Sequence, residues 1–233
     1  MATRFYFPVS TGSPMSPTQD AGWNYTSEIT RGWLSHVKGS SAITLGTRIG
    51  AWSNTAGQRA CDRIFVSDPL FGDQTISGTC KGQVQVQEFA TTDNADQIII
   101  KLYVLQPNGT TIRGTCLTIG AYGLTAEFIS NATAGTGNKR NKRIADGDTI
   151  TSVNAISGDR LVLEIGYANS TAATTPEAQA NWGETGTDLP EDETTTAAAP
   201  GWFELSANLI FESRPTVFVQ SLPDMRGRDP RAI

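Results

Sequence analysis

Hydrophobic side chains recur at every second position in short runs along the chain, and Gly, Asn, Asp and Pro separate these runs. A period of two is typical of β-strands joined by turns and not of helices. The pattern therefore predicts an all-β protein, and the eight clearest runs fit an antiparallel β-sandwich. The predicted strands are 43–49, 63–66, 75–89, 97–106, 110–119, 149–155, 160–167 and 202–211.

One of these runs differs from the others because it is hydrophobic at almost every position, from Ile98 to Leu105. Such a run predicts a central strand that is covered on both faces, with an arm or a neighbouring subunit as one source of the cover. Asn108-Gly109 follows it, and this dipeptide supplies the positive φ angles of a tight hairpin turn. We therefore expect residues 98–105 to pair with residues 111–119.

A second turn is predicted at Ser157-Gly158-Asp159, where Gly follows a residue that favours turns. The alternating runs 149–155 and 160–167 lie on either side of it. We expect the turn to join them as a second hairpin.

Three segments fall outside the alternating pattern. Residues 1–22 contain three prolines among Ser, Thr and Gly and predict an extended N-terminal arm. Residues 170–200 read as a long acidic insertion that is too poor in apolar side chains to order itself. Residues 213–233 carry four arginines and three prolines and predict an extended basic tail, which leaves residues 23–212 as the sandwich. Arms of this kind gain order by adding to a neighbouring subunit.

The net charge of the chain and the length of its apolar runs exclude two classes of partner. The 233-residue chain has 18 Lys and Arg against 23 Asp and Glu, a net charge of −5, so no nucleic-acid partner is expected. No stretch approaches the roughly 20 apolar residues that cross a bilayer, and the first residues lack the apolar core of a signal peptide. We therefore expect no membrane partner and synthesis in a cytoplasm.

The reactive side chains give no recognisable catalytic or metal-binding pattern. Cys61, Cys80 and Cys116 occur without a Cys-x-x-Cys spacing, which predicts buried thiols and no zinc site. The single histidine, His36, has no nucleophile motif around any serine to serve. A glycan hydrolase would use two carboxylates from strands, and the candidates are Glu88, Glu127 and Glu164. Such carboxylates usually face solvent, and no catalytic or metal-ligand spacing is recognisable, so we predict no enzyme, no metal and no cofactor.

A basic run and a tryptophan each indicate a contact with another group. The run 138–143 contains four cations, which are Lys139, Arg140, Lys142 and Arg143. The favoured reading is charge complementarity between subunits, with residues 184–193 of another copy as the acidic side; a solvated loop and a nucleic-acid contact are the alternatives. Trp182 lies in the acidic insertion, where it either anchors the insertion on the sandwich or on a neighbour or stacks on a sugar, and anchoring is favoured.

Four sequence stretches carry a resemblance to a known group of proteins. They are Asp20-Ala21-Gly22-Trp23, Val66-Ser67-Asp68-Pro69-Leu70, Gln74-Thr75-Ile76-Ser77-Gly78-Thr79, and 158–166 with the sequence GDRLVLEIG. In this order they resemble jelly-roll virion structural proteins of tailed bacteriophages, over about residues 5–168. The resemblance implies a jelly-roll-like sandwich and a capsid-decoration, head-fibre, minor capsid or tail-associated subunit. It supplies no catalytic or binding residue.

Together these observations predict a non-enzymatic subunit of a virion that is assembled in the host cytoplasm. Its expected partners are copies of itself and other virion proteins. The alternative is a glycan-binding module for host attachment, with Trp52, Tyr122 or Trp182 at loop tips. The predicted interface residues are Phe5, Tyr6, Phe7, Trp23, Lys139, Arg140, Lys142, Arg143, Trp182, Val217, Phe218 and Val219.

Overall fold

A computed structural model describes residues 1–9, 12–25, 29–46, 49, 55–88, 95–123, 128, 139–169, 177–193 and 198–212. All regular secondary structure in these residues is β-strand, so the predicted all-β class is confirmed. The strands are β1 (Thr3–Tyr6), β2 (Thr30–Leu34), β3 (Thr44–Leu45), β4 (Arg59–Ser67), β5 (Gln74–Ile76), β6 (Thr79–Glu88), β7 (Ala95–Leu105), β8 (Ile112–Gly120), β9 (Arg140–Thr149), β10 (Val153–Ala155), β11 (Arg160–Asn169), β12 (Ala178–Trp182) and β13 (Trp202–Leu205).

Two larger sheets form an antiparallel sandwich, as the alternating pattern predicts. One has the strand order β1-β13-β6-β12-β3, and β9 pairs with the other edge of β6. The second has the order β2-β4-β11-β7-β8, in which the described pairs are antiparallel except for β2 with β4. The short strands β5 and β10 form a third, two-stranded sheet.

The continuous run of β7 is covered on both faces. Ile98, Ile100, Leu102 and Val104 belong to the core between the sheets. The alternate residues Ile99, Tyr103 and Leu105 belong to a second buried cluster on the outer face, together with Trp23 and the half-buried Met15. The cover predicted for this strand is therefore the chain's own N-terminal region, and not a neighbouring subunit.

The first predicted hairpin is confirmed, and the second is not. β7 pairs with β8 through a turn in which Gly109 has φ 75°. The turn at Gly158 also exists, with φ 88°, but β10 pairs with β5 and not with β11. Both edges of β11 are already bonded, one to β4 and the other to β7, so no edge is left for β10.

Two segments that were predicted to lie outside the sandwich contribute strands to it. β1, from the predicted N-terminal arm, pairs with β13, and β12, from the predicted acidic insertion, pairs with β6. β1 is free of proline and buries alternate side chains, which is the pattern of a half-buried edge strand. The description of these two segments as arm and insertion without a core is therefore corrected. The basic tail, residues 213–233, lies outside the described residues.

Candidate functional site

The aromatic residues predicted to bind a neighbouring subunit at the N-terminus pack into this chain's own core. Phe5 and Phe7 are completely buried, and Phe5 is the cross-strand partner of Phe203. The ring of Phe7 lies 4.7 Å from that of Phe65 and 5.4 Å from that of Trp182. This corrects the placement of Phe5 and Phe7, because their apolar surface is already used within the chain.

Tyr6 points the other way, as the alternation of β1 requires. It is half-buried, and its hydroxyl donates a hydrogen bond of 3.2 Å to Asp188. Arg4 and Lys38 also reach Asp188, at 2.9 and 2.5 Å. Burial alone would raise the pKa of Asp188, but the hydrogen bonds from Lys38 and Arg4 outweigh it and lower the pKa. The acidic loop after β12 is thereby fastened to β1 of the same chain.

Glu164 holds the end of the N-terminal arm and the following Trp23 against the outer face of the second sheet. Its buried carboxylate accepts hydrogen bonds from Trp23 Nε1 at 2.6 Å, from the Tyr103 hydroxyl at 3.2 Å and from the backbone N–H of Asp20 at 3.2 Å. Burial is the main reason why the pKa of Glu164 is raised, although these hydrogen bonds act against it. Lys101, the cross-strand partner of Glu164, forms an ion pair with Asp20.

This arrangement also corrects two predictions. Trp23 is buried against its own sheet, so its side chain does not face a neighbour. Glu164 was a candidate acid of a hydrolase, and its oxygen atoms are instead engaged by three structural donors. Glu88 is buried on β6, and Glu127 lies outside the described residues.

The basic run finds its acidic partner within the same chain. Residues 140–149 form β9, where the fully buried Lys142 pairs with Glu193 at 3.1 Å. Arg143 donates to the carbonyl oxygen of Glu191 at 2.9 Å and pairs with Asp146 at 2.6 Å. The predicted segment, 184–193, is therefore the correct partner, but the contact is intramolecular and not between subunits.

The remaining two cations of the run, Lys139 and Arg140, are half-buried. Trp182 is almost fully buried, and it anchors β12 on the sandwich as the favoured reading expected. Its ring is therefore not available as a platform for a sugar. The hydroxyl of Tyr122 donates to the carbonyl oxygen of Thr118 at 2.9 Å. Four further residues with predicted roles lie outside the described residues: Trp52, Val217, Phe218 and Val219.

The other reactive groups have structural surroundings. Cys61, Cys80 and Cys116 are free and buried, as predicted, and burial raises the pKa of Cys80 and of Cys116 to about 12. His36 stacks on Phe211 with ring centroids 4.4 Å apart, and its Nδ1 lies 3.9 Å from Asp68. Within the described part of the chain, no group of three or more His, Cys, Asp and Glu side chains is placed to hold a metal ion, and no helix is present that could span a membrane.

One region of the surface carries large apolar side chains that sequence analysis did not single out; three of them are exposed, and Phe211 is half-buried against the core. We call this group the apolar end: Phe71, Ile156, Ile210 and Phe211. Phe71 is 63% exposed, Ile210 56% and Ile156 45%. An open groove of about 480 Å³ lies here, with walls that also include Ser157 and Glu212. Exposed large hydrophobic residues are normal when scattered, but Phe71 and Ile210 line the same groove, and a contiguous apolar group marks an interaction surface.

The backbone under the apolar end is well ordered by hydrogen bonds. Phe71 N–H donates to the carbonyl oxygen of Ile210 at 2.9 Å, and Glu212 N–H donates to that of Pro69 at 2.8 Å. The side chain of Gln74 both donates to the Ile210 carbonyl, at 2.7 Å, and accepts from the Ile210 N–H, at 2.8 Å. Hydrogen bonds therefore connect the backbone segments that carry the groove. Its side chains come from three loops far apart in sequence, which is why no local pattern indicates it.

Comparisons with known proteins leave the family open. No protein-family model and no curated protein matches this sequence. Among solved structures, a CocE/NonD family hydrolase from Staphylococcus aureus is similar over 89% of this chain, with 11% identity and a TM-score of 0.38. An aminopeptidase from a marine sediment archaeon, Thaumarchaeota archaeon, is similar over 90% of this chain, with 8% identity and a TM-score of 0.39.

A third solved structure, of infectious bursal disease virus strain Gx, is similar over 75% of this chain, with 16% identity and a TM-score of 0.24. This chain spans 36% of the length of the hydrolase, 37% of the aminopeptidase and 45% of the viral chain. At these TM-scores the likenesses carry no argument about function. The function has to be argued from the residues of this chain.

Proposed function

We propose that this protein is a non-enzymatic structural subunit of a bacteriophage virion, for example a capsid-decoration, minor capsid or tail-associated subunit. It associates with copies of itself and with other virion proteins through the apolar end. The observation that carries this proposal is the exposure of Phe71 and Ile210 on the walls of one groove, whose backbone is hydrogen-bonded. Apolar side chains in this arrangement provide most of the affinity of a protein interface.

The contacts of the candidate catalytic side chains support the non-enzymatic part of the proposal. Glu164, the best placed of the carboxylates, is occupied by Trp23, Tyr103 and Asp20. His36 is stacked on Phe211, which itself belongs to the apolar end. These groups stabilise the sandwich in the positions where they lie.

The pairing of the basic run supports the absence of nucleic acid from the partners. Phosphate binding requires cations whose charge is not already compensated. Lys142 is paired with Glu193, and Arg143 with Asp146. The net charge of −5 also disfavours a nucleic-acid partner.

Sedimentation velocity of the full-length protein over a range of concentrations tests the association. Phe71→Ser should shift the distribution towards monomer, because it removes the most exposed aromatic ring of the apolar end. Leu45→Ser, at a 41% exposed residue of β3, is the matched control and should behave like the wild type. If the wild type is monomeric throughout, or if Phe71→Ser associates as the wild type does, the proposed interaction surface is wrong.

The virion part of the proposal has its own test. Mass spectrometry of purified particles of the phage that encodes this chain should detect the protein in a fixed ratio to the major capsid protein. Its recovery only from the soluble fraction of infected cells would contradict a structural role in the particle.

A further inference from the structure

The groove of the apolar end lies where the described chain ends. Glu212, the last described residue, forms part of its wall. The sequence continues from there with Ser213-Arg214-Pro215 and then with Val217-Phe218-Val219. Every copy of the protein therefore carries, directly beside its groove, the start of a segment that contains three consecutive large apolar residues.

We propose that the groove of one copy receives Val217, Phe218 and Val219 from the C-terminal segment of a second copy. This inference rests on the proposed function, since it names the occupant of the same surface. It makes the contact a head-to-tail one, in which groove and segment are different parts of the chain. A contact of this type forms a ring if the rotation between copies closes and an open chain of subunits if it does not.

The chemistry of the two sides matches. The groove offers the side chains of Phe71, Ile210 and Phe211. Val and Phe are residues that favour extended backbone, so Val217-Phe218-Val219 is suited to lie along an open groove. A buried aromatic ring in a preformed pocket is the usual anchor of a protein interface, and Phe218 is the candidate for that position.

The charges of the two sides are also complementary. Glu212 lies on the groove wall, and Asp73 accepts a hydrogen bond of 3.2 Å from the N–H of Ser157 on the same wall. The segment 213–233 has four arginines against two aspartates. Acidic walls and a basic segment attract each other, and this attraction sets the direction in which the segment enters the groove.

The proposal commits to a second copy, and not to the chain's own segment, as the source. Pro215 fixes its own φ and restricts Arg214 to extended backbone. An extended run from Glu212 to Val217 covers roughly 16 Å. Binding of the segment in the groove of its own copy would leave the wild type monomeric, whereas binding in the groove of a second copy makes it associate.

A mixing experiment with full-length variants tests the inference. Phe71→Ser impairs the groove and leaves the segment intact, whereas Phe218→Ser impairs the segment and leaves the groove intact. Each variant alone should associate roughly tenfold more weakly than the wild type, or worse. A mixture of the two should form heterodimers, because one intact groove then meets one intact segment, and it should stop at the dimer. Leu45→Ser again serves as the control, and circular dichroism confirms that each variant is folded.

The outcomes separate this inference from the function on which it rests. If Phe71→Ser loses association and Phe218→Ser does not, the apolar end is an interface but its occupant is another surface, and the inference is overturned. If both variants lose association and the mixture stays monomeric, the contact is not head-to-tail, which also overturns it. If neither variant differs from the wild type, both the inference and the proposed interaction surface fail.

Discussion

The N-terminal arm and the apolar end treat their aromatic residues in opposite ways. Phe5 and Phe7 are completely buried in the sandwich, whereas Phe71 is 63% exposed. The arm belongs to the sequence that was expected to bind a neighbour, whereas no partner was expected for the residues of the apolar end. A proline-rich terminus therefore does not by itself indicate an interface, because it can bury its aromatic residues within its own chain.

Phe7→Ala should give the largest loss of unfolding free energy, because Phe7 lies in the buried part of the N-terminal arm. The substitution removes a ring that contacts Phe65 and Trp182, and a cavity of this size in a core costs about 3–5 kcal/mol of unfolding free energy. Urea denaturation of the monomer measures it. Phe71→Ala is the matched variant at the apolar end and should cost about 0.5 kcal/mol or less. Equal losses of unfolding free energy at Phe7 and Phe71 would contradict the difference in burial between the two residues.

Trp23→Phe, at the residue that follows the N-terminal arm, should give the second largest loss of unfolding free energy. The variant keeps most of the apolar ring but removes the N–H that donates to the buried Glu164 at 2.6 Å. An acceptor left without its donor in a buried position costs about 1–3 kcal/mol. The same denaturation experiment measures this loss. No loss would mean that the indole N–H does not hold this region in solution.

Asp20→Asn should have the smallest effect, and one that depends on pH. Burial alone would raise the pKa of Asp20, but hydrogen bonds from Lys101 and from the Gly22 N–H outweigh it and lower the pKa. A carboxyl group with a lowered folded-state pKa contributes stability above its unfolded value, near 3.8, and this contribution is lost as the pH falls through the folded value.

The wild type should therefore be more stable than Asp20→Asn at pH 7, by about 1 kcal/mol or less because the carboxylate is partly exposed. The two proteins should converge as the pH falls below 3.8. Denaturation curves across this range measure the difference. A gap between the two proteins that is independent of pH would contradict the role given to the Lys101 ion pair.

The parts of the fold that sequence analysis predicted are those with local signals. The hairpin of β7 and β8 has Asn108-Gly109 at its turn, and the continuous run from Ile98 to Leu105 indicates a strand covered on both faces. The missed strands lack such signals. β9 is mostly polar, and its stability depends on contacts such as Lys142 with Glu193, about which the local sequence says nothing.

The candidate site was harder to predict for a similar reason. The apolar end combines Phe71, Ile156 and Ile210 from three separate loops, and no local pattern marks any of them as an exposed apolar residue. Residues 69–71 bring them together, because they bond to residues 210–212 on one side and to residues 158–159 on the other. Conversely, the identity of the acidic partner of the basic run was predictable from charge, but whether it belonged to the same copy was not.

Hydrogen exchange of the full-length protein at several concentrations tests where the N-terminal arm packs and which surface is the interface. If the arm belongs to its own sandwich and the apolar end is the interface, amides of residues 3–7 should be protected equally at every concentration. Amides of residues 69–73 and 207–212 should gain protection as the concentration rises. Protection of residues 3–7 that disappears on dilution, with residues 69–73 unchanged, would contradict the account.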